Sequence, residues 1–118
     1  MNRRELGNKW EELTEQYLRD KGYKIFNRNY QIRGGEIDII AQDGEFLVFI
    51  EVRYRSDNSY GTPSETVNRK KRSALKKAIR VYIHQNYLYN LQARVDFIGI
   101  ELKGNGYLIN HFQNVLDF

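Results

Sequence analysis

Residues Gly35 to Arg55, GEIDIIAQDGEFLVFIEVRYR, constrain this chain more than any other stretch. Two strand-like runs, Glu36 to Ala41 and Phe46 to Tyr54, flank Gln42-Asp43-Gly44-Glu45. Asp-Gly between two apolar runs is a hairpin signal, because glycine takes the positive φ that a tight turn needs. Strand side chains alternate between faces, so Glu36, Asp38 and Ile40 share one face of the first run. Leu47, Phe49, Glu51, Arg53 and Arg55 share one face of the second. With the faces matched across the hairpin, Asp38 and Glu51 converge beside a cation. Two carboxylates held this way suit a hard, oxygen-seeking divalent cation such as Mg²⁺ or Mn²⁺. Solvated outward positions of a one-sided sheet would give the same alternation. The pattern alone leaves both readings open.

A chain of 118 residues is one domain, long enough to bury a core without staples. It has no cysteine, which removes disulfides, thiolate zinc sites and cysteine nucleophiles. Its two histidines, His84 and His111, make a histidine-based metal site a poor expectation. No apolar run has the length of a signal peptide or of a membrane span, so the expected location is the cytoplasm, with no membrane partner. The net charge is +4, modest enough that its distribution matters more than its sum.

Ahead of the hairpin, Arg4 to Lys21 has helical periodicity. Leu6, Trp10, Leu13 and Tyr17 form a stripe that Thr14 and Leu18 widen, and Gly22 follows as a stop. Glu11 falls at the edge of the widened stripe and Glu12 points away from it. A carboxylate leaning over the sheet from this helix is therefore Glu11, unless both merely solubilise it. Tyr23 to Tyr30 reads as a first strand, rich in aromatic and β-branched residues, and Gln31 to Gly35 as a turn.

Beyond the hairpin, Ser56 to Pro63 is rich in turn formers and reads as a loop. Ser64 to about Tyr89 is the longest helical candidate, with Thr62 or Ser64 as cap and Val67, Leu75, Ala78, Ile79, Tyr82 and Ile83 on its buried side. Its other side carries Arg69, Lys70, Lys71, Arg72, Lys76, Lys77 and Arg80, with no acidic residue between Thr66 and Val95. Solvated helices usually mix charge signs. A one-sign face points to a polyanionic partner such as a nucleic acid, gripped by Arg69, Lys70, Lys71, Lys76 and Lys77, unless it is an ordinary basic surface. The nearby tyrosines, Tyr60, Tyr82, Tyr87 and Tyr89, stack on bases or fill the core. Arg94 to Leu102 and Tyr107 to Phe112 complete the chain as strands around the turn Lys103 to Gly106. Asp96 interrupts the first of these, as a third polar contributor or an edge-strand surface residue. The expected fold is α/β, in the order α-β-β-β-α-β-β, with a mixed sheet flanked by helices.

Nearly the whole sequence also resembles the YraN-like family of small bacterial proteins, themselves similar to archaeal Holliday junction resolvases and restriction-endonuclease-like nucleases. The resemblance runs through Gly7, Glu11 and Tyr17-Leu18, Gly22-Tyr23, Arg28-Asn29-Tyr30, and Gly35 to Ala41. It continues in Leu47 to Val52, in Gly61, Pro63, Glu65, Val67 and Lys71, and in Val95-Asp96-Phe97. It implies a restriction-endonuclease-like fold with the nuclease signature on Asp38 and Glu51-Val52-Arg53. It further implies metal ligation by Asp38 and Glu51 with the Val52 carbonyl, and a helix glutamate, Glu11, brought to the metal. The implied activity is metal-dependent hydrolysis of phosphodiester bonds in DNA, of branched or non-standard form. A homodimer is implied too, since symmetric junctions are cut by dimers.

Position 53 departs from that pattern, which expects lysine. Arginine stays protonated and presents a broad planar fork, so Arg53 stabilises charge but does not serve as a general base. Loss of one proton-transfer role typically removes about two to four powers of ten in rate. The alternative function is therefore a catalytically weak or inactive DNA-binding module on the same fold. Trp10, where a glycine is usual, is a smaller departure.

Overall fold

A computed structural model describes residues 3–55 and 69–116, with the backbone alone at residues 3–8, Arg55 and Arg69. The expected loop over Ser56 to Pro63, and the expected helix start with its caps, lie outside the described residues. Helix α1 spans Arg3–Asp20, strands β1 Lys24–Ile32, β2 Gly35–Asp43 and β3 Phe46–Arg55. Helix α2 spans Arg69–Asn86, followed by β4 Gln92–Lys103 and β5 Gly106–Phe112. The five strands form one sheet in sequential order, antiparallel except where β3 pairs with β4. That parallel pair needs a crossover, and α2 supplies it. The α/β class and the order of elements are those expected.

The two helices cover opposite faces of the sheet, because the strand residues alternate between two cores. One core joins Trp10 and Leu18 of α1 to Ile39, Ala41, Val48, Ile50, Ile98 and Ile100. The other joins Leu75, Ala78, Ile79 and Tyr82 of α2 to Ile37, Ile40, Leu47, Phe49 and Val95. Each fully buried valine, leucine, isoleucine or phenylalanine among them contributes about 1.5 to 3 kcal/mol. β4 lies inside the sheet with both faces covered, and every residue from Arg94 to Glu101 is buried.

Local chemistry sets the element ends. Gly22, at φ +92°, closes α1 as Tyr23 N–H reaches back to the Leu18 carbonyl at 2.9 Å. Three residues earlier than expected, α2 stops in the same way without a glycine. Tyr87 adopts φ +54° and Leu88 N–H bonds the Ile83 carbonyl at 3.1 Å. The β2–β3 turn is a two-residue loop closed by the Asp43–Phe46 pair, with Gly44 at φ +59°.

Trp10 is a structural residue. Its ring stacks on Tyr54 at 4.5 Å between centroids, and its buried Nε1 has no hydrogen-bond partner among the described residues. Asp96 is neither of the things its sequence position suggested. It is wholly buried on the α1 side of an interior strand. There it accepts from Arg94 Nε at 2.9 Å and from the Asn114 N–H at 3.1 Å, and bonds His111 Nε2 at 2.7 Å. Tyr23 joins the network by accepting from Arg94 Nη2 at 2.6 Å. His111 Nδ1 in turn meets the Tyr17 hydroxyl at 3.0 Å. A buried carboxylate is tolerated only when its oxygens are satisfied in this way.

Candidate functional site

The site begins where β2 and β3 part. Their pairing runs from Asp43–Phe46 to Ile39–Ile50 and ends there, one position short of Asp38 and Glu51. Ile37 and Ile39, which regular alternation would put on one face, enter opposite cores. The alternation of β2 therefore breaks at Asp38, the residue between them. Freed from the ladder, its Oδ2 accepts a hydrogen bond from Val52 N–H at 2.8 Å.

Glu51 follows Leu47 and Phe49 on the α2 side of β3 and is 7% exposed. Its Oε1 takes two cations, Lys71 Nζ at 2.5 Å and Arg53 Nη2 at 3.3 Å. Burial, the neighbouring Glu51 and Glu36 together push the Asp38 carboxyl up to about 7, against the Val52 N–H and Arg53. Burial and Glu36 also raise Glu51, opposed by Arg53 and by a hydrogen bond with Asp38. The Lys71 ammonium on the same carboxylate adds to that opposition. Burial is the leading cause at both carboxylates, and the charge of Glu51 adds to it at Asp38.

A pocket of roughly 400 Å³ opens beside the pair, between the β1–β2 turn and the first turns of α2. Glu51, Glu36 and Lys71 line it with Gln31, and Ile32 and Leu75 give it apolar walls. Gly35 makes this closeness possible. A Cβ there would stand 2.5 Å from the Ala74 carbonyl oxygen, so strand and helix touch backbone to backbone.

The sequence-expected residues divide accordingly. Asp38, Glu51 and Arg53 come together, Glu51 and Arg53 through the regular alternation of β3 and Asp38 where the alternation of β2 breaks. Glu11 is half-buried and Glu12 exposed, in the expected order. No hydrogen bond or ion pair among the described residues ties Glu11 to Asp38 or Glu51, and no three acidic or histidine side chains gather there in a metal-holding cluster. Asp38 and Glu51 nonetheless fit a magnesium-type ion, which keeps most of its waters and takes one or two carboxylates. Glu15, not singled out by the sequence, is buried and structural, paired with Arg28 at 2.8 Å and Arg19 at 3.5 Å.

On α2, Lys70, Arg72, Lys77 and Arg80 are exposed and Lys76 half-buried, while of Arg69 only the helical backbone is described. Lys71 stands apart, turned in toward Glu51. Helical spacing accounts for its position, since 71, 75, 78 and 82 form one stripe whose other members are buried. Tyr82 is a core residue, its hydroxyl donating to Asn27 Oδ1 at 2.7 Å, whereas Tyr87 and Tyr89 are exposed. Tyr60 lies outside the described residues. No helix among the described residues is long and apolar enough to cross a membrane.

The model of the uncharacterised protein family UPF0102 matches residues 10–100. The chain belongs to that family. It is 79% identical over 118 residues to a UPF0102 protein of Carboxydothermus hydrogenoformans, covering the whole of both chains. A UPF0102 protein of Dehalococcoides mccartyi is 42% identical over 102 residues, 86% of this chain and 84% of its own. One of Alkaliphilus oremlandii is 42% identical over 118 residues, 97% of this chain and 98% of its own. The UPF0102 match takes in Asp38, Glu51, Arg53 and the whole of α2, and leaves β5 outside it.

Proposed function

We propose that this UPF0102 protein is a divalent-metal-dependent, nuclease-like DNA-binding protein of restriction-endonuclease-like fold that hydrolyses phosphodiester bonds in branched or otherwise non-standard DNA. One observation carries the reading. At the point where β2 and β3 diverge, a half-buried carboxylate, Asp38, and a buried one, Glu51, meet at the foot of a helix whose exposed side is basic. Asp38 and Glu51, with the Val52 carbonyl, would hold Mg²⁺ or Mn²⁺. A bound cation would supply Lewis-acid polarisation of the phosphate and a water acidic enough to attack it. Val52 N–H orients Asp38, and the burial of Glu51 limits screening by bulk water at that carboxylate. Lys70, Lys76 and Lys77 would hold the phosphates on either side by contacts indifferent to sequence. Glu11, half-buried on α1, would be the helix carboxylate of such a site.

The second reading, a catalytically weak or inactive DNA-binding module, is favoured by Arg53. Its guanidinium is engaged with Glu51 and, always protonated, takes no proton from water.

Labelled linear, single-stranded, flapped and four-way-junction DNA, incubated with Mg²⁺, Mn²⁺ or EDTA, separates the two. Metal-dependent cutting that Asp38→Asn abolishes is the expected result, and the best-cut substrate names the task. Binding with no cutting in any metal would establish the second reading, and cutting gained with Arg53→Lys would identify position 53 as the reason. Protein that neither binds nor cuts any of these DNAs overturns both. Symmetric junctions would call for a homodimer, which sedimentation of the same preparation reports.

A further inference from the structure

The cation nearest to Glu51 comes from the helix opposite, across the pocket. Lys71 Nζ lies 2.5 Å from Glu51 Oε1, closer than Arg53 at 3.3 Å. The lysine is held there by construction. Its stem lies on the stripe that buries Leu75, Ala78 and Tyr82, and only 31% of its side chain is exposed. The backbone contact of Gly35 with Ala74 presses this turn of α2 onto β2. Lys70, one residue away, is exposed.

A single-charged ammonium bonded to a buried carboxylate occupies the place and supplies part of the charge of a divalent ion. The two cannot share Oε1 without strong repulsion at low dielectric. Lysine is a compact charge on a flexible four-carbon stem, and the adjoining pocket gives it somewhere to go. Arginine holds the strand position, and the lysine that reaches Glu51 comes from the helix.

We propose that Lys71 is the resident counter-charge of the Asp38–Glu51 pair, yielding Glu51 to an arriving divalent cation and then facing the phosphate as the lysine that β3 lacks. The inference rests on the metal-dependent reading above and assigns Lys71 a role distinct from the sequence-indifferent grip of its neighbours.

Mn²⁺ binding to the full chain without DNA, followed by titration calorimetry, tests it. A competing contact present four-fifths of the time weakens apparent affinity about fivefold. Lys71→Met should therefore tighten Mn²⁺ binding by about fivefold or more. Lys71→Arg, which keeps the charge and guards against misfolding as the cause, should stay within about twofold of wild type, as should Lys70→Met, which removes one exposed charge from the same helix. Where the wild type cuts DNA, Lys71→Met should also cut about a hundredfold more slowly, with the DNA dissociation constant little changed. Mn²⁺ affinity equal in wild type and Lys71→Met, including no binding by either, overturns the inference, as does equal tightening in Lys70→Met or a cutting wild type that Lys71→Met does not slow. If Lys71→Met tightens Mn²⁺ binding while the wild type cuts none of the DNAs, the nuclease reading fails and the counter-charge role stands.

Discussion

Val52 N–H donates to Asp38 Oδ2 at 2.8 Å, a hydrogen bond from the backbone of one strand to the side chain of another that stops pairing with it one position earlier. The acidic residue thereby replaces the ladder contact that its own backbone has given up. Burial and two neighbouring carboxylates nevertheless leave Asp38 with a strongly raised affinity for its proton.

That affinity predicts how stability depends on pH. The unfolded carboxyl titrates near 3.8 and the folded one near 7. Below the lower value both states hold the proton and the group is neutral in its effect. As pH rises from there toward 7 the folded state alone keeps it, so stability falls, and the full loss is in place above about 7. Asp38→Asn should remove this slope. Thermal unfolding midpoints of variant and wild type should meet near pH 4, and by pH 8 the variant should be the more stable by about 2 kcal/mol or more. Parallel curves across that range would show that Asp38 is not strained by its surroundings.

Asp96 should behave in the opposite sense. Burial pushes its carboxyl up, but hydrogen bonds with His111, Arg94 and Asn114 N–H more than offset this and hold it below the ordinary value. A lowered folded value contributes stability above the unfolded one, lost as acid carries the pH below it. Asp96→Asn leaves Arg94 buried with only Asp43, at 3.1 Å, as a charged partner among the described residues. The expected loss is about 3 kcal/mol at pH 7 by urea unfolding, shrinking toward acid pH, with Mn²⁺ affinity unaffected because the network lies on the other face of the sheet.

Gly35→Ala tests the strand–helix contact. The new Cβ would meet the Ala74 carbonyl oxygen at 2.5 Å and Ala78 Cβ at 3.3 Å, and neither can rotate away. Overpacking of this kind costs about 1 to 3 kcal/mol. Since the same turn of α2 carries Lys71, the variant should also shift Mn²⁺ affinity in the direction of Lys71→Met. Unfolding titrations that match wild type would mean that α2 moves off the sheet freely.

The exposed lysines should report on DNA through salt. Replacing Lys70 and Lys77 together by Ala should weaken binding to every DNA alike and lower the slope of log affinity against log salt by about two. Fluorescence anisotropy across a salt series gives the slope. An unchanged slope would move the DNA surface away from α2.

Much of this protein can be read from its chain. Local signals are short-ranged: Gly22 as a helix stop, Asp-Gly as a hairpin, the stripe from Leu75 to Tyr82, and the period of two that sends Glu51 after Phe49. They sufficed for the α/β class, the order of elements and the shared face of Glu51 and Arg53, because side-chain direction in a regular helix or strand follows from position alone. What required the tertiary structure depended on which element lies across from which. Asp96 looked like a site or surface residue until β4 proved interior and His111, Arg94 and Asn114 arrived from elsewhere to satisfy it. Lys71 looked like one cation in a basic row until the contact of Gly35 with Ala74 turned it onto Glu51. Charge counted along a helix is blind to depth, and a carboxylate's affinity for its proton is set by neighbours distant in sequence; both are decided only when the sheet closes against its helices.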